Sequence, residues 1–296
     1  LSVPPALESR LWFGHSFERG IDQPERNPEA AKLAPTGGTL VANGFLGKGL
    51  KVSDLHDRAA KPLTVSADFL SPDKPLTIML WWRLDEELPV DGGFGVLNLC
   101  HPQGGWISCF VRGKGEWCAL PCPTWVYQLY KFPGLGNDHN VWTGRVVAKA
   151  GEWHHTALTI ANAKEISWYR DGALANRFLV KGRNLTRGET SLVTFGDSGH
   201  PMTIDEVLIF DRVLSEQEIA DYVKTAKALS AVRAVQQQTE GKRKGTDAGG
   251  RDVLTEKSEP GRLLIRMGKE ADRWKLVHGY VIRGVVASTP SGNGDD

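Results

Sequence analysis

Between Gly151 and Val223 the hydrophobic period of the chain switches once, and that switch limits what it can fold into. In GEWHHTALTI, Trp153, His155, Ala157 and Thr159 alternate with His154, Thr156, Leu158 and Ile160, the period-two pattern of a strand. Ile166–Tyr169 then runs into Asp171-Gly172, a step that tolerates positive φ at both turn positions and predicts a two-residue hairpin. Ala173–Val180 is the return strand, and Leu192–Phe195 and Met202–Phe210 add two more. After Phe210 the period becomes helical. Ser215-Glu216-Gln217-Glu218 fits a capping box, with Ile219, Tyr222 and Val223 as a short apolar stripe. The run AKALSAVRAVQQQ, rich in helix formers, predicts that the helix continues through Ala226–Gln238.

The rest of the chain repeats the strand theme. Residues 1–8 read as a loose arm, Leu11–Phe17 as a strand, and Glu18–Thr36 as a long polar loop with three prolines. Gly37–Val52 predicts short strands between glycine turns. Leu63–Ser66, Leu76–Leu84, Phe94–Leu99, Trp106–Arg112 and Val141–Ala148 complete the set. Pro121 and Pro123 assign the aromatic segment Trp117–Phe132 to an edge or a bulge. Thr239–Gly261 is charged and poor in apolar residues, and its GKRKG cluster reads as solvated linker rather than a nucleic-acid contact. Strand character returns at Arg262–Met267 and Trp274–Ala287, and the last residues, STPSGNGDD, read as disordered. The expected domains are therefore 9–225 for the β domain, 226–261 for a helical-to-charged linker, 262–287 for a β extension and 288–296 for a tail.

Many short strands with Gly and Pro turns, one helix and no βαβ rhythm argue for an all-β sandwich. The ten tryptophans and 33 glycines point the same way. A net charge of +1 gives no general attraction to nucleic acid or to an anionic membrane. No run approaches the roughly 20 apolar residues of a membrane helix. The N-terminus LSVPPALESR lacks the charged and apolar regions of a secretory signal, which leaves open an export signal removed by processing.

Four segments in order carry a family resemblance: GFLGKGLKV (Gly44–Val52), LTIMLWWRLDEE, GEWHHTALTI with the hairpin Tyr169-Arg170-Asp171-Gly172, and IDEVLIFDRVLSEQEI. From about Leu11 to Val223 the chain resembles a laminin G-like domain of the concanavalin A-like lectin/glucanase superfamily. The resemblance implies a two-sheet antiparallel jelly-roll sandwich, here with a short C-terminal helix and a β-hairpin extension. It also implies lectins, adhesion modules, glucanases and virion components as functional classes.

Retaining glycosidases of this fold carry two carboxylates on one strand face, in Glu-x-Asp-x-x-Glu spacing, about 5 Å apart. No such motif is present. Asp205 and Glu206 are adjacent and should face opposite sides of a strand. The chain is therefore read as non-catalytic, with a divergent glycosidase as an alternative. Calcium is the one cofactor the resemblance offers, with Asp205 and Asp211 as candidate ligands and Asp54 and Asp57 as further oxygens. His154 and His155 read as buried, hydrogen-bonded histidines, because no Ser or Cys nucleophile motif accompanies them. Cys100, Cys109, Cys118 and Cys122 fall within 23 residues and leave open buried thiols, two local disulfides or a metal site.

The distinguishing segment is aromatic. Trp106, Trp117, Trp125, Tyr127, Tyr130, Phe132 and Trp142 lie within 37 residues. Such rings stack on sugars and anchor protein partners, or else fill a core. Trp117, Trp125, Tyr127, Tyr130 and Trp142 are the candidate ligand-binding residues, with the loop Pro133–Asn140 beside them. The expected partner is a glycan or a protein on a cell surface or in a larger assembly, and a homo-oligomer is compatible. A bacteriophage virion (tail or capsid-decorating) protein is the leading setting, and a secreted bacterial adhesion protein the second.

Overall fold

A computed structural model describes residues 3–27, 38–52, 63–66, 74–87, 93–100, 106–112, 124–130, 139–161, 165–179, 192–196, 200–245, 266–270 and 273–278. The chain divides into two compact units, Leu1–Arg233 and Ala234–Asp296.

The first unit is a two-sheet antiparallel sandwich. Its larger sheet contains β1 (Leu11–His15), β2 (Thr39–Val41), β3 (Gly49–Lys51), β5 (Leu76–Leu84), β10 (Trp153–Ala161), β11 (Glu165–Arg170), β12 (Ala173–Leu179) and β14 (Met202–Phe210). These are ordered β12-β11-β10-β5-β14-β3-β2, with β1 also paired to β14. The smaller sheet contains β4 (Leu63–Ser66), β6 (Gly93–Cys100), β7 (Trp106–Arg112), β8 (Thr124–Tyr130), β9 (His139–Val147) and β13 (Leu192–Phe195). Its order is β4-β13-β6-β7-β8-β9. Two helices flank the strands, α1 (Pro5–Glu8) and α2 (Glu216–Gly245), so α2 passes the predicted Gln238.

The central strand β5 explains why the larger sheet reads as continuously apolar. Leu76, Ile78, Leu80, Trp82 and Leu84 enter the core between the sheets. The alternate residues Met79 and Trp81 enter a second core, formed with Leu7, Phe45, Tyr169, Leu208, Ile219, Tyr222 and Val223. Both faces of this strand are therefore dry, which is why its apolar run is continuous rather than alternating. Leu7 is 3% exposed, so α1 is anchored in the second core rather than being the loose arm expected from its sequence.

A β-bulge keeps this pattern in phase along β14. Ile204 faces the inter-sheet core, so strict alternation would send Glu206 there too. The register instead gains one residue between Asp205 and Leu208, which turns Val207 into that core. Glu206 takes up the extra residue at φ 48°. The expectation that Asp205 and Glu206 simply face opposite sides of a regular strand is corrected by this bulge.

The predicted turn and cap both form. Asp171 and Gly172 adopt φ 50° and 91° and close the β11–β12 hairpin. The Asp171 carboxylate accepts the His155 backbone N–H at 2.9 Å, and the Asp171 N–H donates to the His155 carbonyl at 2.9 Å. At the start of α2, the Glu218 N–H donates to Ser215 Oγ and the Ser215 N–H donates to Glu218 Oε2. Arg212 grips the same carboxylate with two hydrogen bonds, which, with the Ser215 donors, hold Glu218 down at about 2.

The second unit contains the end of α2 and the antiparallel pair β15 (Arg266–Glu270) and β16 (Arg273–His278), the β hairpin expected there. No helix among the described residues is long and apolar enough to cross a membrane.

Candidate functional site

The inter-sheet core claims two of the five candidate aromatics. Trp125 is 0% exposed and its indole N–H donates to Cys109 Sγ at 2.8 Å. It meets Trp82 edge-on at 5.0 Å. Tyr127 is 1% exposed, stacks on Trp168 at 4.6 Å, and its hydroxyl donates to the Tyr169 carbonyl. Neither ring reaches a surface, so both are corrected from ligand-binding to core positions. The reason is registry. Trp125 and Tyr127 share the inward parity of β8, and β8 lies between β7 and β9 rather than at an edge. A bulge falls between Thr124 and Val126, and Pro121 and Pro123 lie outside the described residues.

The opposite parity of the same sheet faces outward. Leu97 and Leu99 point inward and place Asn98 outward; Ile107 and Cys109 do the same for Ser108. Pairing then lines up one residue from each of six strands. Thr64 is opposite Thr194, Thr194 opposite Asn98, Asn98 opposite Ser108, Ser108 opposite Gln128, and Gln128 opposite Asn140. All six side chains are hydroxyls or carboxamides.

Three of the described side chains of this row are buried. Ser108 is 1% exposed, Asn98 7% and Thr194 9%. The Asn98 carboxamide donates to Thr194 Oγ1 at 3.5 Å. It packs against Gly95, where an added Cβ would come within 2.2 Å of Asn98 Nδ2 and displace the carboxamide. Ser108 Oγ is buried without a hydrogen-bond partner among the described residues. Aromatic positions flank the row. Trp106 is opposite Tyr130 on one side, and Phe110 and Trp142 are both opposite Val126 on the other. Tyr130 and Trp142 thus fall in the outward register that Trp125 and Tyr127 do not share. Trp117, Asp54, Asp57, Cys118, Cys122 and residues 133–138 lie outside the described residues.

The two proposed calcium ligands do not meet. Asp205 is 0% exposed inside β14. Its two oxygens accept the backbone N–H groups of Leu46 at 2.8 Å and Glu206 at 2.7 Å. Burial, with the Glu206 charge beside it, raises its pKa well above the usual carboxylate value, the reverse of what a cation ligand needs. Asp211 lies beyond the far end of the strand, 46% exposed and 3.9 Å from Arg10. At about 3.3 Å per residue the two carboxyls are on the order of 20 Å apart. They do not fit a shared ion, and among the described residues no three His, Cys, Asp or Glu are placed to hold a metal.

Both histidines are buried, each in a different core. His154 faces Trp82 and Trp125, with Nδ1 3.6 Å from Asp171. His155 sits between Trp81 and Tyr222 of α2 with neither ring nitrogen hydrogen-bonded among the described residues, contrary to the expected satisfied histidine. Full burial lowers its pKa to about 3. Cys109 is an inert thiol, pushed up to about 12 by burial and not part of a disulfide.

The alternation around Ser108, Ile107-Ser108-Cys109-Phe110-Val111, is visible in the sequence. Its alignment with Asn98 and Gln128 is not, because register belongs to strand pairing.

Solved structures share this architecture at low identity. The binding domain of Paraclostridial Mosquitocidal Protein 1 aligns with TM-score 0.55 and 16% identity, over 73% of this chain and 52% of that one. Trypanosoma rangeli sialidase aligns with TM-score 0.55 and 16% identity, over 77% and 34%. A botulinum neurotoxin type C structure, from work on cell entry dependent on two ganglioside molecules, aligns with TM-score 0.54 and 14% identity, over 75% and 52%. The chain thus spans about half the length of the two toxin structures and a third of the sialidase. A comparison with curated proteins finds no match. The model of one family, a laminin G family described as the concanavalin A-like lectin/glucanases superfamily, matches residues 57–220, over half the chain, and the protein belongs to that family.

Proposed function

We propose that this chain is a non-catalytic recognition module that binds a glycan or a protein through the outward face of its six-stranded sheet. The observation that carries this reading is the polar row from Thr64 to Asn140, flanked by the Trp106–Tyr130 pair and by Phe110 and Trp142. The row supplies hydrogen bonding without a carboxylate, whereas glycoside hydrolysis needs two carboxyls facing one bond. The adjacent acidic pair, Asp205 and Glu206, is buried in the other sheet. Binding domains among the structural neighbours, including a neurotoxin whose cell entry depends on gangliosides, support glycan recognition. The same neighbours support an extracellular or surface setting. Placement in a virion is the finer proposal, and it rests on a recognition unit followed by a long helix and a separate hairpin.

The test is a glycan and protein array probed with the full chain, with and without EDTA. Tyr130→Ala, Trp142→Ala and Trp117→Ala should each weaken the captured interaction at least tenfold while the thermal midpoint holds. Trp125→Ala should instead cost about 3–5 kcal/mol of stability, because it empties a core site. Unchanged binding in all three surface variants defeats the proposal. Hydrolysis of a β-glucan panel, abolished by one carboxylate substitution, restores the enzyme reading.

A further inference from the structure

We infer that residues 16–27 form an acid-released clasp on the larger sheet: protonation of His15 opens the segment, and Glu18 then lets go of the turn at 44–48 and of Arg233 on α2. The His15 ring is bonded at both nitrogens. Its Nε2 lies 2.8 Å from the Ile21 carbonyl, which can only accept, so Nε2 carries the proton. Its Nδ1 accepts the Phe17 backbone N–H at 3.1 Å and is therefore bare. Both nitrogens are committed to the neutral Nε2–H form. A second proton would go to Nδ1, where it meets a donor instead of an acceptor. The same bond holds Phe17 at φ 59°, a left-handed conformation that is unfavourable for a bulky side chain.

The ring is also enclosed. His15 and Phe17 are both 0% exposed. Phe17 stacks on the imidazole at 4.1 Å, and Phe13 meets it edge-on at 6.3 Å. β14 places Val207 opposite His15, with Asp205 and Glu206 next along that strand. Burial lowers the pKa of His15, outweighing the Ile21 carbonyl and the charges of Glu25 and Asp22, which raise it. Below about pH 6.5 the open segment therefore takes up a proton that the closed one refuses, and acid favours opening.

The contacts of the segment define what opening releases. The Glu25 carboxylate accepts the Ser16 N–H and the Ser16 hydroxyl. The N–H groups of Glu25 and Arg26 donate to the Gly14 carbonyl, which closes the segment on β1. Between these ends, Glu18 reaches outward. Its Oε1 accepts the Lys48 N–H at 3.0 Å and lies 3.4 Å from the Arg233 guanidinium. Its carbonyl accepts Lys48 Nζ at 3.1 Å. Glu25, despite its burial, is held below the usual carboxylate range by the Ser16 donors, so it stays charged while the histidine titrates.

The experiment follows the full chain by NMR and hydrogen exchange from about pH 8 to about pH 5. The ring nitrogens of His15 should show the Nε2–H form at the upper end. The amides of Ser16, Phe17, Glu25, Arg26 and Lys48, whose bonds close the clasp, should open more often in acid, once the chemical exchange rate is allowed for. That opening should rise by up to about tenfold per pH unit below about pH 6.5. The amides of Leu80 and Leu158, in the central strands β5 and β10, report unfolding of the whole sandwich and should respond less. His15→Asn keeps an acceptor for the Phe17 N–H but cannot titrate, and should cut the response of the clasp amides to under about twofold. An Nδ1–H ring, an absent acid response, a His15 that titrates with no change at Lys48, or clasp amides that keep pace with Leu80 and Leu158 overturns the inference. So does a response that survives His15→Asn.

Discussion

His155 shows how one side chain sets a pH limit on the fold. It is fully buried against Trp81 and Tyr222, with Asp171 and Lys227 as the nearby charges. Burial lowers its folded pKa to about 3 from 6.5. The unfolded chain therefore binds a proton that the folded chain refuses between those values. Stability is complete above about pH 6.5 and falls on acidification, by up to about 1.4 kcal/mol per pH unit, until about pH 3. Asp171 and Glu218, whose folded pKa values are depressed, add a loss of the same sign, but only below their ordinary values of 3.8 and 4.5. Denaturant unfolding between pH 5 and 6.5 lies above the range of those two carboxylates, and there His15 and His200, also lowered by burial, add losses of the same sign while Asp205, raised by burial, opposes them. His155→Leu should reduce the slope in that window without abolishing it, and change stability at pH 8 by less than about 1.5 kcal/mol. A slope unchanged by the substitution assigns the acid sensitivity to the other groups.

At the scale of elements, the hairpin and the helix depend on each other through Gly172. Its φ of 91° is costly for an L side chain, and an added Cβ would lie 3.2 Å from Val223 Cβ on α2. Gly172→Ala should destabilise the fold by about 1–2 kcal/mol, with the loss read in the thermal midpoint. Val223→Ala in the same background should not recover it, because alanine keeps the Cβ that makes the contact. These elements were legible in sequence because their causes are local. The Asp-Gly turn, the Ser215 capping box and the alternation of β5 and β10 each depend on neighbours a few residues away. What stayed hidden depends on pairing. Trp125 reads in sequence like the other aromatics around it, yet inward parity buries it. The bulge at Glu206 and the Asn98–Ser108–Gln128 alignment arise from register, which periodicity within one segment cannot set.

Across the whole molecule, the second core explains why the family domain carries a helix. The larger sheet offers apolar residues on both faces, and the smaller sheet covers only one. Ile219, Tyr222, Val223 and Ala226 of α2 cover the other, with Leu229 packed beside them. Arg233 is the last residue of the compact unit, 3.4 Å from Glu18. Beyond it Val235 is 64% exposed, so the helix has left its apolar stripe. We propose Arg233, the last residue of the first compact unit, as the end of the folding unit, against the boundary at 225 expected from sequence. A chain ending at Arg233 should unfold cooperatively at the full-length midpoint, within about 2 °C. A chain ending at Val213 should not fold, because Met79, Trp81, Tyr169 and Leu208 would face water. Circular dichroism melts of the two truncations give the answer. If the chain ending at Arg233 melts well below the full-length protein, the segment after it contributes to the sandwich and the folding unit is larger than its two cores require.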